Sequence, residues 1–206
     1  MNHESLICDI SDWQSAFDAR AYRRAGRAAI MIKASEGTGY AGASRHAERA
    51  AAAHAAGLRV LHYAFLEGGD GAAQAAALLA ATERVWRPGD RLVADVEVGS
   101  AVGAVEGWAR ACRAAGHTGL LLYTYRGFCG SWLRAAAPHF AGAIIADYGR
   151  RQLPTLRDRV AARPLRLVGR QFTDGTEGAR PHRCAGIAGP VDCTRLTTWG
   201  RRLIMA

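Results

Sequence analysis

Short apolar runs of strand length alternate with alanine-rich helical segments along the whole chain, and this alternation limits the possible folds more than any other feature. Eight strands are predicted, near residues 6–10, 28–34, 59–65, 91–97, 119–124, 142–147, 165–172 and 190–194. Strands that alternate with helices are typical of a parallel sheet with helical crossovers. Because about eight strands fit a closed or nearly closed barrel better than a small open sheet, we expect an α/β barrel.

The clearest helices are predicted at residues 43–56, 71–86 and 101–115. Asp70 and Ser100 precede the second and third of them, where a side-chain oxygen can cap the first turn. Gly57 and Gly116 lie just past two helix ends, a position at which a left-handed cap favours glycine. These signals support the strand–helix alternation independently of hydrophobicity.

The chain has 206 residues, of which 50% are hydrophobic, so it can bury a full core without disulfides or metals. Neither an internal repeat nor a low-complexity linker divides it, and we expect one domain over residues 1–206. No run of residues approaches the roughly 18 uninterrupted apolar positions of a membrane span.

The formal net charge is +9, and Lys33 is the only lysine among 27 basic residues. Such a surface attracts nucleic acid, anionic lipid or anionic wall polymers, and charge alone does not choose among them. The arginines are scattered instead of clustered, which is typical of a solvated surface.

Five cysteines are present, at positions 8, 112, 129, 184 and 193, without a CxxC motif or the spacing of a zinc site. A local Cys184–Cys193 bridge stays open as an alternative, but buried thiols are the expected state. The seven histidines form no HxxxH pair. We therefore predict neither a metal nor another cofactor.

Carboxylates interrupt the apolar strands at a few places, and these places are the candidates for chemistry. Asp9 lies in the first strand, Asp95 and Glu97 end the fourth, Asp192 lies in the last, and Glu36 follows the second. Reacting groups of an α/β barrel gather at the carboxyl ends of its strands. If the barrel closes, the first and last strands are neighbours, and several carboxylates meet at one mouth.

The Asp95-Val96-Glu97 segment is the most informative of these places. Residues two apart on a strand point to the same face, about 6.6 Å apart along it. Two carboxylates so placed repel each other, so that one tends to hold its proton at neutral pH. A protonated acid beside an ionised carboxylate is what cleavage of an acetal requires.

Eight short motifs of the chain follow one another in an order that matches a known family. They are Cys8-Asp9-Ile10-Ser11-Asp12-Trp13-Gln14, Ile32-Lys33-Ala34-Ser35-Glu36-Gly37-Thr38-Gly39-Tyr40, Tyr63-Ala64-Phe65 with Gln74-Ala75, Asp95-Val96-Glu97, Tyr123-Thr124, Ala146-Asp147-Tyr148, Gln171-Phe172-Thr173 and Val191-Asp192. In these motifs the chain resembles the glycoside hydrolase family 25 lysozymes, the muramidases of bacteria, fungi and many phage lysis enzymes.

The resemblance implies an irregular, flattened, TIM-like (β/α) barrel that hydrolyses the β-1,4 bond between N-acetylmuramic acid and N-acetylglucosamine. It makes Glu97 the general acid/base and Asp95 the group that stabilises the charged intermediate, in a substrate-assisted reaction with net retention. Asp9 and Asp192 then complete the catalytic set by shaping the field and binding sugar. The remaining substrate contacts are expected from Glu36, Tyr63, Tyr123, Tyr148 and Gln171.

Three positions depart from the family pattern. The histidine expected after Tyr63 is Ala64, and two expected tryptophans are Ile144 and Arg170. Because aromatic faces bind sugar rings in clefts of this kind, these changes predict altered contacts with substrate.

Two other functions were compared with the lysozyme. The same barrel could bind wall glycan without cutting it, as a structural phage component, but the intact Asp95–Glu97 pair argues against this. The GxGxxG spacing of residues 37–42 matches a dinucleotide site. However, Glu36 would repel a pyrophosphate, and the acid expected about 20 residues on is missing.

The expected partner is the glycan of peptidoglycan, with anionic wall polymers as a second attraction for the basic surface. We expect a monomer that binds no nucleic acid and does not span a membrane. Residues 1–9 lack the apolar stretch of a secretory signal. The expected location is therefore the bacterial wall, reached from a host cytoplasm through a phage holin-type pore.

Overall fold

The computed structural model describes residues 5–39 and 43–206, which fold into a closed barrel of eight strands in chain order. The strands are β1 (Leu6–Ile10), β2 (Ala29–Glu36), β3 (Arg59–Phe65), β4 (Arg91–Asp95), β5 (Leu121–Tyr125), β6 (Gly142–Ala146), β7 (Leu167–Thr173) and β8 (Asp192–Leu196). The helices are α1 (Ala19–Arg24), α2 (Ala43–Ala55), α3 (Gly71–Thr82), α4 (Val105–Ala114), α5 (Trp132–Ala136), α6 (Leu156–Ala161) and α7 (Thr198–Met205). The predicted single-domain α/β barrel is thus confirmed, and three register shifts between strands make it irregular.

The last strand differs from the expected parallel arrangement. β1 to β7 run parallel, whereas β8 is antiparallel to both β7 and β1. A strand parallel to β7 would need a long crossover connection, usually a helix. The connection over residues 174–191 contains no helix, so β8 runs antiparallel to β7. As a result, the beginning of β8 lies at the same rim of the barrel as the ends of the other strands.

The side chains of each strand alternate between the barrel interior and the helical layer. On β4, Val93 packs inside the barrel with apolar residues of the other strands. Leu92, Ala94 and the following Val96 pack on the outer side, in a cluster that includes Trp108 of α4. This alternation, which the sequence predicts for β4, directs Asp95 towards the interior side.

Helix ends agree with the predicted caps in three cases of four. Asp70 Oδ1 accepts a hydrogen bond of 2.8 Å from the backbone nitrogen of Ala72, and Gly57 and Gly116 have positive φ. The prediction for Ser100 is wrong, because a short 3₁₀ helix occupies Gly99–Gly103 and α4 begins only after it. A close approach explains the later start: a Cβ on Gly71 of α3 would lie 1.9 Å from the carbonyl oxygen of Ala104.

Among the described residues, no helix combines the length and the apolar character that crossing a membrane requires.

A buried histidine–aspartate network joins β3, α2 and the turn before β4. Asp90, which is 3% exposed, accepts hydrogen bonds from the ring nitrogens of His54 at 3.0 Å and His62 at 3.2 Å. His62 Nδ1 lies 2.8 Å from Nε2 of His46, and both rings are buried. Burial alone would raise the pKa of Asp90, but the two histidine hydrogen bonds outweigh it and bring the pKa below its ordinary value.

We expect Asp90→Ala to lower the free energy of unfolding by about 3 kcal/mol, because it leaves buried donors without their charged acceptor. Asp70→Ala, the matched carboxylate at an exposed helix cap, should cost only about 1 kcal/mol. Urea denaturation at neutral pH measures both values. If both variants lost the same free energy of unfolding, the buried network would stabilise the fold no more than an exposed helix cap does.

Candidate active site

The acidic residues predicted from the sequence meet at the rim where β1 to β7 end and β8 begins. Asp9 and Asp192 are direct partners across the antiparallel pair of β1 and β8. Asp95 is the last residue of β4, and its register partner on β5 is Tyr123. The strand ends two residues earlier than predicted, so that Glu97 follows it, yet the Glu97 carboxylate still interacts electrostatically with the other three.

Two open cavities lie at this rim, and together they are called the groove below. One has a volume of about 320 Å³ and is lined by residues that include Asp9, Tyr63 and Asp192. The other has a volume of about 330 Å³ and is lined by residues that include Glu97 and Tyr148. Asp9, Asp192 and Glu97 thus each line an opening that a ligand can enter.

Gln171 of β7 holds three site residues in place. Its Nε2 donates a hydrogen bond of 2.8 Å to Asp9 Oδ2, while its Oε1 accepts from the hydroxyls of Tyr123 at 2.7 Å and Tyr148 at 2.8 Å. Gln171 is only 2% exposed. Its amide therefore orients these neighbouring side chains, and the substrate contact expected from the sequence stays a prediction.

Asp95 is a buried carboxylate whose surroundings oppose its ionisation. Burial raises its pKa well above the ordinary value, and the charges of Glu97 and Asp9 raise it further, whereas Lys33 lowers it. Among the described residues, none forms a hydrogen bond with Asp95 Oδ1. A buried polar atom without a partner is uncommon in proteins, and here it lies next to Glu97, which lines the groove.

Glu97 is half-buried at the floor of the groove. Burial raises the pKa of its carboxyl above the ordinary value, and the neighbouring Tyr123 hydroxyl and the charge of Lys33 partly oppose this shift. The same Tyr123 hydroxyl is the one that contacts Gln171. Glu97 is thus suited to hold a proton at a pH at which an exposed glutamate has lost it.

The carboxyls that face each other on β1 and β8 also have raised pKa values. Burial, followed by repulsion from Asp192, places the pKa of Asp9 well above its ordinary value. Burial and the charge of Asp174 raise the pKa of Asp192 to about 7. Asp174 lines the same cavity, and the sequence analysis did not select it.

Lys33 is the second residue that the sequence analysis overlooked. It lies on β2, opposite Tyr63 of β3, and its ammonium group contacts the carboxylate of Glu36. The ammonium group also lies 5.1 Å from the centre of the Phe65 ring. The signal in the sequence was its uniqueness, since every other basic residue of the chain is arginine.

None of the three departures from the family pattern lines the open groove. Ala64 packs in the outer cluster and is 1% exposed, while Ile144 packs inside the barrel and is 0% exposed. Arg170, 4% exposed, forms ion pairs with Asp147 at 3.2 Å and Asp158 at 3.3 Å. The effect of these three positions on sugar contacts stays a prediction.

Exposed aromatic rings are nevertheless available at both cavities. Trp13, which is 90% exposed, lines the cavity of Asp9, and Tyr125 and Tyr148, which are 41% and 39% exposed, line that of Glu97. Each ring can therefore offer an apolar face to a ligand in the cavity that it lines.

The structure gives no support to the dinucleotide alternative in the part of the motif that it describes. Gly37 and Gly39 belong to a tight turn, in which the backbone nitrogens of Glu36 and Gly39 each donate to the other residue's carbonyl oxygen at 3.0 Å. The Gly39 amide is therefore already bonded within the turn instead of being free to bind a phosphate. The rest of the motif, residues 40–42, lies outside the described residues.

Solved structures with the same fold are lysozymes and related hydrolases. A bacterial lysozyme from Streptomyces coelicolor has 21% sequence identity and a TM-score of 0.70, over 97% of this chain and 94% of that one. A glycosyl hydrolase 25 from Streptococcus pneumoniae, described as a virulence factor that participates in host cell invasion, has 15% identity and a TM-score of 0.74, over 98% and 92%. A family 25 lysozyme from Aspergillus fumigatus has 19% identity and a TM-score of 0.67, over 97% and 98%.

Sequence comparison gives a family but no individual relative. Among curated proteins, none matches the chain at a significant level. The profile of glycosyl hydrolases family 25 matches residues 8–174, a span that contains most of the barrel and three of the four clustered carboxylates. The chain therefore belongs to glycosyl hydrolases family 25 and is a glycoside hydrolase of the lysozyme, or muramidase, type.

Proposed function

We propose that the protein cleaves the β-1,4 bond between N-acetylmuramic acid and N-acetylglucosamine of peptidoglycan, with Glu97 as the general acid and base. The main support for this proposal is the Asp95–Glu97 pair. Glu97 lines the groove, and Asp95 is buried beside it. Burial raises the pKa values of both carboxyls, and the charges of neighbouring residues also change each pKa. Such a pair shares protons, so that an acid and a carboxylate coexist near neutral pH.

Glu97 is the better acid of the two because it lies at the accessible end of the pair. In the first step its proton passes to the glycosidic oxygen while the bond from that oxygen to the sugar carbon breaks. In the second step the Glu97 carboxylate takes a proton from a water molecule, which attacks the same carbon. The Tyr123 hydroxyl, which contacts Glu97, stabilises the carboxylate that exists between the two steps.

Asp95 is more deeply buried and suits the stabilisation of positive charge. In a substrate-assisted reaction the acetamido oxygen of the N-acetylmuramic acid attacks the sugar carbon, and the acetamido nitrogen becomes positive. A carboxylate that accepts a hydrogen bond from that nitrogen supplies the compensating charge. Asp95 Oδ1 has no hydrogen-bond partner among the described residues, and in this proposal the acetamido nitrogen supplies one. Net retention follows from the two successive displacements.

The surrounding residues have supporting roles in this proposal. Asp9 and Asp192 shape the field of the groove, and Gln171 fixes the orientation of Asp9 through its 2.8 Å hydrogen bond. Tyr63 and Tyr148 lie on the surfaces that sugar rings would contact. The remaining contacts, from Tyr123 to Glu97 and from Glu36 to Lys33, hold the charged groups in place.

We infer that the catalytic domain extends over residues 1–206. The family profile ends at residue 174, before β8 and α7. However, β8 closes the barrel and carries Asp192, which faces Asp9. A functional groove therefore requires residues beyond the matched span.

The proposal is tested by incubating the enzyme and its Glu97→Gln variant with purified peptidoglycan. We expect the wild type to release fragments that end in N-acetylmuramic acid, identified by mass spectrometry. Glu97→Gln should lower the rate of new reducing ends by about 100-fold or more, since it removes the proton donor. Glu106→Gln, on the exposed face of α4, is the matched control and should retain full activity.

Two results would contradict the proposal. Fragments that end in N-acetylglucosamine would assign a different bond. A wild type that sediments with walls from several species but releases no fragments would favour the alternative of a glycan-binding barrel without catalysis.

The pH dependence provides a separate test of the Tyr123–Glu97 contact. Glu97 acts as the protonated acid, so activity falls as the pH rises above its pKa. Tyr123→Phe removes the hydroxyl that lowers this pKa, and the alkaline limb of the kcat/KM profile should move to higher pH by up to about one unit, the shift that loss of a full hydrogen bond to a charged group would give. Glu106→Gln, on the exposed face of α4, is the control and should leave the limb in place. An unchanged limb in Tyr123→Phe would show that another group controls it.

We further propose that the net charge of +9 draws the enzyme to anionic wall polymers. Hydrolysis of intact walls should then slow between about 0.1 M and about 1 M NaCl, where the Debye length shrinks from about 10 Å to about 3 Å. Hydrolysis of a short soluble fragment of the glycan strand, which carries no anionic wall polymer, should change much less with the same preparation. If salt affected both substrates equally, the attraction would not lie in the wall polymers.

A further inference from the structure

A cluster of three cysteine side chains lies directly behind the active site, on the outer side of the barrel. Cys8 belongs to β1, Cys193 to β8, and Cys184 to the connection over residues 174–191. Their Sγ atoms are 3.0 Å apart between Cys8 and Cys184, 3.6 Å between Cys8 and Cys193, and 3.7 Å between Cys184 and Cys193. All three are free and buried, with exposures of 0%, 8% and 0% for Cys8, Cys184 and Cys193.

The fold itself brings the three sulfur atoms together. Cys8 and Cys193 are direct partners in the antiparallel pair of β1 and β8, and they point away from the groove because Asp9 and Asp192 point towards it. Tyr22 and Phe172 belong to the apolar cluster that surrounds them. In the sequence, Cys184 is 176 residues from Cys8 and 9 residues from Cys193. The spacing of the cysteines therefore did not indicate that the three thiols form a cluster.

The distances suit coordination of a metal ion. Three thiolates bound to a tetrahedral zinc ion at about 2.3 Å lie about 3.8 Å from one another. Two of the observed separations, 3.6 Å and 3.7 Å, are close to this value, and the Cys184 thiol needs only a small movement away from Cys8 to match it. A disulfide would use two of the three sulfurs and leave the third beside it without a function.

Positive charge lies close to the cluster. The Nη2 atom of Arg27 lies 4.0 Å from Cys184 Sγ, and Arg27 is 8% exposed. The guanidinium of Arg195 also interacts electrostatically with Cys193. These cations offset part of the negative charge that thiolate ligands would bring to a buried site.

We propose that Cys8, Cys184 and Cys193 bind one thiophilic divalent ion of the Zn²⁺ class. The fourth position of the ion falls to a water molecule or to the Tyr22 hydroxyl, which accepts a hydrogen bond of 2.9 Å from the backbone nitrogen of Cys8. The ion fastens the connection over residues 174–191 to the two strands that close the barrel. That connection contains no helix and contributes Asp174 and Pro190 to the groove.

The decisive experiment measures metal binding by the full-length protein. The chain is purified under reducing conditions, stripped with a chelator, reloaded with Zn²⁺ or Co²⁺, and freed of excess ion by gel filtration. We expect one zinc ion per chain by mass spectrometry of the metal. The cobalt form should show a sulfur-to-cobalt charge-transfer band in the near ultraviolet, together with visible bands typical of tetrahedral coordination.

Single variants identify the ligands. Cys184→Ser should weaken zinc binding by about tenfold or more and remove most of the charge-transfer band, because one thiolate is lost. Cys112→Ser is the matched control, since Cys112 is a buried free thiol on α4 away from the cluster, and it should bind one ion as the wild type does. Cys8→Ser and Cys193→Ser should resemble Cys184→Ser.

A measurement on the wild type alone keeps the proposal testable if these variants fold poorly. Addition of Zn²⁺ to the stripped protein should raise its Tm, and the chelator should reverse the change, because an ion that binds only the folded state stabilises it. The proposal is overturned if the wild type retains no zinc and gives no cobalt band. It is also overturned if the non-reduced protein has a mass two hydrogens lower because Cys184 forms a disulfide with Cys8 or Cys193.

Discussion

The antiparallel pairing of β1 with β8 closes the barrel, and both the groove and the structure behind it depend on this pairing. Its register places Asp9 opposite Asp192 and Cys8 opposite Cys193. Because successive residues of a strand point to opposite faces, the carboxylates face the groove and the thiols face the outer layer. A shift of one residue in this register would exchange the two sets and bury the carboxylates in an apolar cluster. The strand pairing that closes the barrel therefore also brings the active-site carboxylates together.

Two opposing effects set the pKa values of the carboxyls in the groove: burial raises them, and a small number of favourable contacts lower them. Burial is the largest cause of the raised pKa values of Asp9, Asp95 and Glu97. Lys33 is the cation that opposes this effect at both Asp95 and Glu97. It does so from a position where its ammonium group is also held by Glu36, so that its charge is shared. At both groups burial has the larger effect, so the pKa values of Asp95 and Glu97 stay above their ordinary values in spite of Lys33.

The architecture and the acidic residues could be predicted from the sequence because both depend on local patterns. The bounds predicted for the first and third strands agree with the structure, and the alternation on β4 followed from a period of two residues. The direction of β8 could not be predicted in this way, since it depends on the path of residues 174–191 and not on the composition of the strand. The roles of Lys33 and Asp174 were missed for a related reason: their neighbours are close in space and distant in sequence.

The three departures from the family motifs show how a substitution can alter a motif without altering the groove. At position 170 the expected aromatic residue is an arginine, but its side chain lies on the outer side of β7 and donates hydrogen bonds to the backbone oxygen of Asp147.

Arg170 also pairs with Asp158, whose carboxylate accepts from Thr155 in the capping box at the start of α6. One buried guanidinium thus connects β7, the segment after β6 and α6. That segment carries Tyr148, whose hydroxyl reaches Gln171 in the groove. Since loss of one partner leaves the other buried charge uncompensated, the ion pairs of Arg170 must persist together. Arg170 therefore fixes the backbone at Asp147, next to Tyr148, and connects position 170 to the groove through the structure of the chain.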